Sequence, residues 1–353
     1  MTQRVTVVGA GVVGLSCAVR LAEAGRDVAV LARDLPGETT SSMAGALWLP
    51  GPPPADPRWT AWAWDTWDEL ARLARADDAA TGVRLLPGTI THRRRPPAPP
   101  WPFRPRTVDL DSPTAVAAAR PLPAVDEVLD PAPGFGYGLR TDPVPVVDMP
   151  VHLLHLRRRL EAAGGSLTRM PLPALPTRGL VVNATGLAAR VLTPDPAVRP
   201  LTGQSVVLED PGLEGWWYDG DDAGSVRTYA VPHGGRVVVG GTAVLDQWST
   251  DPDPATGEQI LARARAMVPQ LADARVLAHR IGMRPWRPSV RLEAERRPNR
   301  DDAAHVVVHC YGHGSDGVAL AWGCAGEVLA LAEQVAAGPS GPPTSPAAAR
   351  LPA

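Results

Sequence analysis

No lysine occurs anywhere in this 353-residue sequence; all 35 basic side chains are arginine. That absence excludes a lysine Schiff base to pyridoxal phosphate and the lysine of a phosphate-binding P-loop. Cysteine is scarce, and Cys17, Cys310 and Cys324 have neither metal-ligand nor redox-pair spacing. They read as buried thiols, and nothing asks for an oxidising compartment. Neither sign of charge is in excess: a formal net charge of −2 gives no electrostatic reason to expect nucleic acid or an anionic membrane as partner. The longest apolar runs look too short to span a bilayer. The first of them is broken by Arg20 and Glu23, so it reads as folded structure and not as a secretion signal. The tail carries no organelle address, which leaves the cytoplasm as the expected location. What is abundant is arginine, with 34 glycines and 40 prolines, a composition suggesting a GC-rich bacterial genome.

Two glycine-rich turns into helices stand at opposite ends of the chain. "RVTVVGAG" is a buried strand, and the residues from Gly14 to Ala24 form an amphipathic helix ended by Gly25. Gly9, Gly11 and Gly14 thus form G-x-G-x-x-G between strand and helix. Gly9 permits the tight turn, Gly11 lets backbone approach a pyrophosphate, and Gly14 lets helix and strand pack closely. "RDVAVLARD" completes a β-α-β unit. An acid is expected at the end of that second strand; Asp34 stands one place late, after Arg33. Asp34 either holds ribose hydroxyls or merely starts the loop, and Arg33 lies along an adenosine or meets a phosphate, leaving NADP formally open. The second turn, "YGHGSDGVALAWGCAGEVLALAEQV", suits a long ligand with another electron-rich end. Reduced flavin builds negative charge at its pyrimidine end, where a helix N-terminus is stabilising.

Between these ends the texture changes. "TAWAWDTWDELARLARA" is helical, with Trp64, Trp67, Leu70 and Ala71 on one core-facing stripe and Trp62 on the far side. Proline-rich stretches flank it. Asp148 caps a further helix with Pro150 in its first turn. "GLVVNATG" is a strand entering a tight turn, "TYAVPHGGRVVVGGTA" a hairpin turning at Gly234–Gly235, and "DPATGEQILARARAMVPQL" another helix. "IGMRPWRPSVRLEAE" is extended and carries Arg284, Arg287 and Arg291, any of which could clamp a carboxylate. Alternation lets only some of them reach one cavity. Tyr229, in "RTYAVP", can point at the same cavity.

Together "VVGAGVVGLS", "LARDLPGETTSSMAGALWLP", "NATG", "RPLTGQ", "VVVGGTAVLDQWS", "GMRPWRPSVRLEAE" and "YGHGSDGVALAWGCA" resemble the D-amino-acid oxidase family, in that family's order and across nearly the whole ordered chain. The resemblance implies non-covalent FAD and oxidative deamination of neutral, preferentially apolar, D-amino acids to 2-oxo acids, ammonia and hydrogen peroxide, by hydride transfer from the α-carbon. The partners implied are the D-amino acid and molecular oxygen, with a homodimer left open. The fold implied is α/β: a Rossmann-type FAD-binding domain (1–50, 148–200 and 303–338) interleaved with a β-sheet-rich substrate-binding domain (51–147 and 201–302), followed by a disordered tail (339–353).

By position, the resemblance gives Arg291 as the arginine for the substrate carboxylate, Tyr229 as its co-donor, and Ser315 as the carbonyl receiving the substrate amine. It places Gly9, Gly11, Val12, Val13 and Gly14 at the diphosphate, Arg33 and Asp34 at the ribose, and Thr40 and Ser41 at phosphate contacts. Gly45, Ala46 and Leu47 fall along the flavin, Gly314, Gly317, Val318 and Ala319 at its pyrimidine end, and Met170 near the adenosine; no metal is implied. His313 is structural by this reading and not a base. "GDDAGSVR" is too short for a mobile lid. Leu49 replaces a polar glutamine, which makes the pocket more apolar, and Ala243 replaces the arginine of the D-aspartate oxidases, so D-aspartate is expected to be poor. A glycine- or sarcosine-type amine oxidase, a D-aspartate oxidase, and a catalytically silent dinucleotide-binding module stand as alternatives.

Overall fold

A computed structural model describes residues 4–51, 56–96, 104–105, 124–128, 134–298, 302 and 305–337. The tail expected from residue 339 lies outside them. The β-α-β unit at the start forms as its pattern requires: β1 (Val5–Val8), α1 (Val12–Glu23) and β2 (Val28–Ala32). The chain then forms α2 (Trp59–Arg75), β3 (Val83–His92), β4 (Arg104–Pro105), β5 (Ala124–Val128) and β6 (Tyr137–Val147). It returns through α3 (Met149–Ala162), β7 (Ser166–Arg169), β8 (Leu180–Asn183) and the short α4 (Ala189–Leu192). An antiparallel run follows: β9 (Arg199–Glu209), β10 (Trp216–Asp219), β11 (Val226–Pro232), β12 (Arg236–Thr242) and β13 (Val244–Leu245). The described chain closes with α5 (Pro254–Met267), β14 (Val276–Arg296), β15 (Val306–His313) and α6 (Gly317–Ala337).

The sheet has two characters joined by one strand. Strands β7, β2, β1, β8 and β15 are parallel neighbours. Strands β8 and β15 are buried at every position, the pattern of parallel strands covered on both faces. Helices α1, α2, α3 and α6 cover one face, sharing a core with Leu15, Val30, Leu153, Val308 and Trp322. The antiparallel remainder has its own core, in which Val206, Val239 and Ile260 pack β9 and β12 against α5. Strand β14 links the two parts. Its first half pairs with β9 up to Trp286, and after an irregularity its second half pairs with β15. The extended segment that carries the prolines and arginines therefore becomes the seam between the two parts of the sheet.

Three expectations need correction. Trp62 is buried, not on an outer face: its Nε1 donates to Glu327 Oε2 at 2.6 Å, because α6 covers that side of α2. Asp148 sits at the start of α3, but its carboxylate pairs with Arg236 at 2.6 Å and does not cap the helix. A fixed guanidinium outcompetes backbone amides for it. And α6 is long and apolar enough, by length and composition, to cross a bilayer; half of that apolar window is buried in the protein, against α1 and α2, as in a core helix. All three cysteines are free and buried, as expected.

Candidate active site

The parallel strands aim their C-terminal ends at one cavity of about 650 Å³, the place where open α/β sheets bind ligands. At one end its wall is Gly9, Gly11, Val12, Val13 and Gly14 with Arg33, Asp34, Thr40, Ser41 and Met170. At the other it is Tyr229, Arg284, Gly314, Ser315, Gly317 and Val318. Gly45, Ala46, Leu47 and Ala319 stand behind this wall, not on it. Gly45 lies against the ring of Tyr229, and Leu47, like Leu49 and Tyr229, packs against the apolar cluster around Ile90, Val146 and Trp216.

The glycine turn is built by crowding. Gly9 has φ +115°, and a Cβ there would lie 2.3 Å from the Ala184 carbonyl oxygen. A Cβ on Gly14 would lie 2.1 Å from the Gly9 carbonyl oxygen, so strand, turn and helix touch through bare backbone. Ser41 Oγ accepts from the Val12 amide at 3.0 Å, tying the second loop to the helix start. Arg33 and Asp34 bond to each other, with Nη2 to Oδ2 at 2.6 Å, which holds the Asp34 pKa below its ordinary value.

Far along the wall, three glycines make room for two side chains. A Cβ on Gly240 would lie 1.8 Å from Tyr229 Cζ, and one on Gly45 2.9 Å from Cε2; one on Gly203 would lie 2.4 Å from Arg284 Nη1. Burial raises the Tyr229 pKa against the opposing pull of Arg284, so the phenol stays protonated and can donate. Arg284 donates to the Thr242 carbonyl at 3.2 Å. Among the described residues no carboxylate lies within ion-pair distance of it.

Arg291 is elsewhere, and the expectation built on it is corrected here. Its Nε donates to Glu293 at 2.7 Å, Nη1 to the Tyr311 hydroxyl at 2.9 Å and Nη2 to Glu295 at 3.3 Å. Arg287 joins the same cluster through Asp195 at 3.1 Å. Arg284 stands in the regular stretch of β14 paired with β9, whereas Arg287 and Arg291 lie in and beyond the irregularity after Trp286, where the strand passes to β15, so simple alternation does not relate them. Trp216 and Trp217 line a separate, smaller cavity, and Arg227 binds the carbonyls of Gly224 and Val226. Trp248 and the turn from Ala184 to Ala188 also line the main cavity, without a motif to announce them.

A dinucleotide with a flavin end fits what is present. Among the described residues no side chain caps the first turn of α6, because Asp316, just before it, sends its carboxylate to the Gly51 amide at 3.3 Å. Gly317 and Val318 therefore offer an uncapped helix start to the cavity. His313 also lines the cavity; burial lowers its pKa to about 4, and its buried Nε2 has no partner among the described residues. It is neutral near pH 7, consistent with a structural role.

Comparison with known proteins agrees with this geometry. Residues 4–331 match the DAO family model, described as FAD dependent oxidoreductase. The chain belongs to that family. FAD is accordingly its cofactor. The sequence is 42% identical over 333 residues to a D-amino-acid oxidase of Streptomyces coelicolor, covering 93% of this chain and 96% of that one. It is 43% identical over 333 residues to a D-amino-acid oxidase of Rubrobacter xylanophilus (93% and 95%), and 33% identical over 344 residues to a human D-aspartate oxidase (94% and 95%). The fold of this oxidoreductase is shared with glycine oxidase from Geobacillus kaustophilus at TM-score 0.73 and 18% identity, over 94% of this chain and 95% of that one.

Proposed function

We propose that this oxidoreductase deaminates D-amino acids with apolar side chains to 2-oxo acids, ammonia and hydrogen peroxide. The observation that carries the reading is Arg284: a half-buried guanidinium without a carboxylate partner among the described residues, beside a protonated phenol, on the wall of the cavity. Such a pair is a receptor for a carboxylate. It outranks the silent-module alternative, which has no use for an unpaired arginine there.

Arg284 and Tyr229 hold the substrate carboxylate, and the carbonyl of Ser315 receives the amine. The glycines behind both side chains fix their rotamers, so the α-carbon is positioned by two rigid donors. Gly9 to Gly14, Arg33, Asp34, Thr40, Ser41 and Met170 hold the dinucleotide, and the start of α6 faces the pyrimidine end. FAD, when bound, supplies the acceptor for the hydride leaving the α-carbon and passes its electrons to oxygen. No side-chain base is required once the amine is neutral, in keeping with a neutral His313. Leu49 packs against the same apolar cluster as Tyr229, which keeps the surroundings of that tyrosine apolar. Ala243 offers no counter-charge for a second carboxylate, so D-aspartate is a poor substrate. The connection 220–225 between β10 and β11 is too short for a large lid. We place the enzyme in the cytoplasm, in keeping with three free buried thiols.

The test is an anaerobic visible spectrum of the holoenzyme before and after D-methionine, with L-methionine in a separate sample. Bleaching of the flavin bands by the D-isomer alone is the expected result. Bleaching by glycine or sarcosine but by no D-amino acid transfers the reading to an amine oxidase on the same fold.

A further inference from the structure

The sequence holds three cysteines, far apart along the chain, and the fold brings all of them to one place. Cys17 lies on α1, Cys310 on β15 and Cys324 on α6, each free and buried in the core that these elements share. Cys17 donates to Cys310 and Cys310 to Cys324, so the sulfurs form a chain. The bond to Cys310, together with burial, pushes the Cys17 thiol well up, and burial raises that of Cys324.

His313, at the end of β15, joins this group from the cavity side. One of its ring nitrogens and the sulfurs of Cys310 and Cys324 all lie within 4.8 Å of one another. The imidazole is buried and neutral near pH 7, and its Nε2 has no partner among the described residues. A buried nitrogen left without a partner costs free energy that a ligand can remove. Cys310 and His313 also form part of the cavity wall, which gives an ion a way in.

Two thiols and a neutral imidazole are ligands for a thiophilic cation. Around zinc, with Zn–S of about 2.3 Å and Zn–N of about 2.0–2.1 Å, such donors stand about 3.5–4 Å apart, so the set has to close by roughly 1 Å. The charge balances as well. One dication displaces two thiol protons, two metal–sulfur bonds and one metal–nitrogen bond form, and both protons leave to solvent. The site starts and ends neutral, so the apolar core buries no net charge.

The geometry points to a binding site for a thiophilic dication of the zinc class, held by Cys310, His313 and Cys324, with Cys17 supporting Cys310. The ion ties β15 to α6 across the turn that carries Gly314 and Ser315 to the cavity wall. This holds whichever amino acid the enzyme oxidises.

The probe is cadmium chloride titrated into the holoenzyme. Binding is followed by the ultraviolet thiolate-to-cadmium charge-transfer band and by proton release into weakly buffered solution. The three clustered cysteines are the only ones in the sequence, so such a band has no other source. It is expected to saturate at about one ion per chain, with about two protons released. In Cys324→Ala the affinity is expected to fall ~100-fold or more, since losing a ligand exceeds the 10–100-fold cost of losing an outer-shell partner. In His313→Asn it is expected to fall ~10-fold or more with the thiolate band retained, and Cys17→Ala is expected to lose less than Cys324→Ala. The flavin bands and circular dichroism identify folded variants; if Cys324→Ala fails to fold, His313→Asn carries the comparison. A wild type without a thiolate band at about tenfold molar excess of cadmium overturns the site. So does a folded His313→Asn that binds as tightly as wild type, or a band lost in Cys17→Ala but kept in Cys324→Ala.

Discussion

Exchanging the two arginines of β14 one at a time separates a substrate anchor from a structural ion pair. Arg284→Met removes a guanidinium that stands on the cavity wall beside Tyr229 with no carboxylate partner among the described residues, at the cost of its hydrogen bond to the Thr242 carbonyl. A desolvated arginine–carboxylate pair costs about 2–5 kcal/mol when one partner is removed. Arg284 is half-buried and Tyr229 remains, so the lower half of that range applies, and kcat/KM for D-methionine is expected to fall ~100-fold or more. The assay is anaerobic flavin reduction in a stopped-flow instrument across D-methionine concentrations, which separates binding from the hydride step. Binding should carry most of the loss. Arg291→Gln is the control: it breaks contacts to Glu293, Glu295 and Tyr311 and should lower Tm while kcat/KM stays within ~5-fold. Near-wild-type kinetics in Arg284→Met, or a ~100-fold loss in a well-folded Arg291→Gln, would refute the reasoning.

Other consequences follow from the same geometry. Tyr229→Phe removes one donor to a charged group and should cost ~10-fold in kcat/KM, mainly through KM, in steady-state oxygen uptake. Gly9→Ala sets a Cβ 2.3 Å from the Ala184 carbonyl oxygen at a φ of +115°, so the purified protein should be colourless or unfolded by absorbance and circular dichroism. Gly240→Ala drives a methyl into the Tyr229 ring and should lower turnover at least ~10-fold with FAD still bound, checked by the flavin spectrum. Glu69 titrates with the fold. Burial alone would raise its pKa, but Arg72 and Arg159 hold it at about 2, below the unfolded carboxylate near 4.5. Its contribution, on the order of 3 kcal/mol, is therefore complete above pH ~4.5 and is lost as pH falls toward 2. The Tm gap between wild type and Glu69→Gln should shrink over that window; a gap constant from pH 6 to pH 3 would contradict it.

The sequence alone determined the local devices. Gly9, Gly11 and Gly14 could be read because each glycine answers a backbone demand that no other residue meets, and such demands are local. The hairpin at Gly234–Gly235 and the buried strands at both ends were legible for the same reason: turn chemistry and apolar runs act over a few residues. Other features belonged to partners far along the chain. Trp62 is inside because α6, some 260 residues later, lies against it, and Asp148 leaves its helix because Arg236 is there to take it. The choice among three arginines is the clearest case. Alternation implied only that some of the three could reach one cavity, and all three were equally good clamps in isolation. Only the long-range pairing of β14 with β9 and β15 brought Asp195, Glu293, Glu295 and the Tyr311 hydroxyl to Arg287 and Arg291, and set Arg284 beside Tyr229 on the cavity wall. A guanidinium's role is set by whether its counter-charge comes from the protein or from a ligand, and that is settled by contacts between residues distant in sequence.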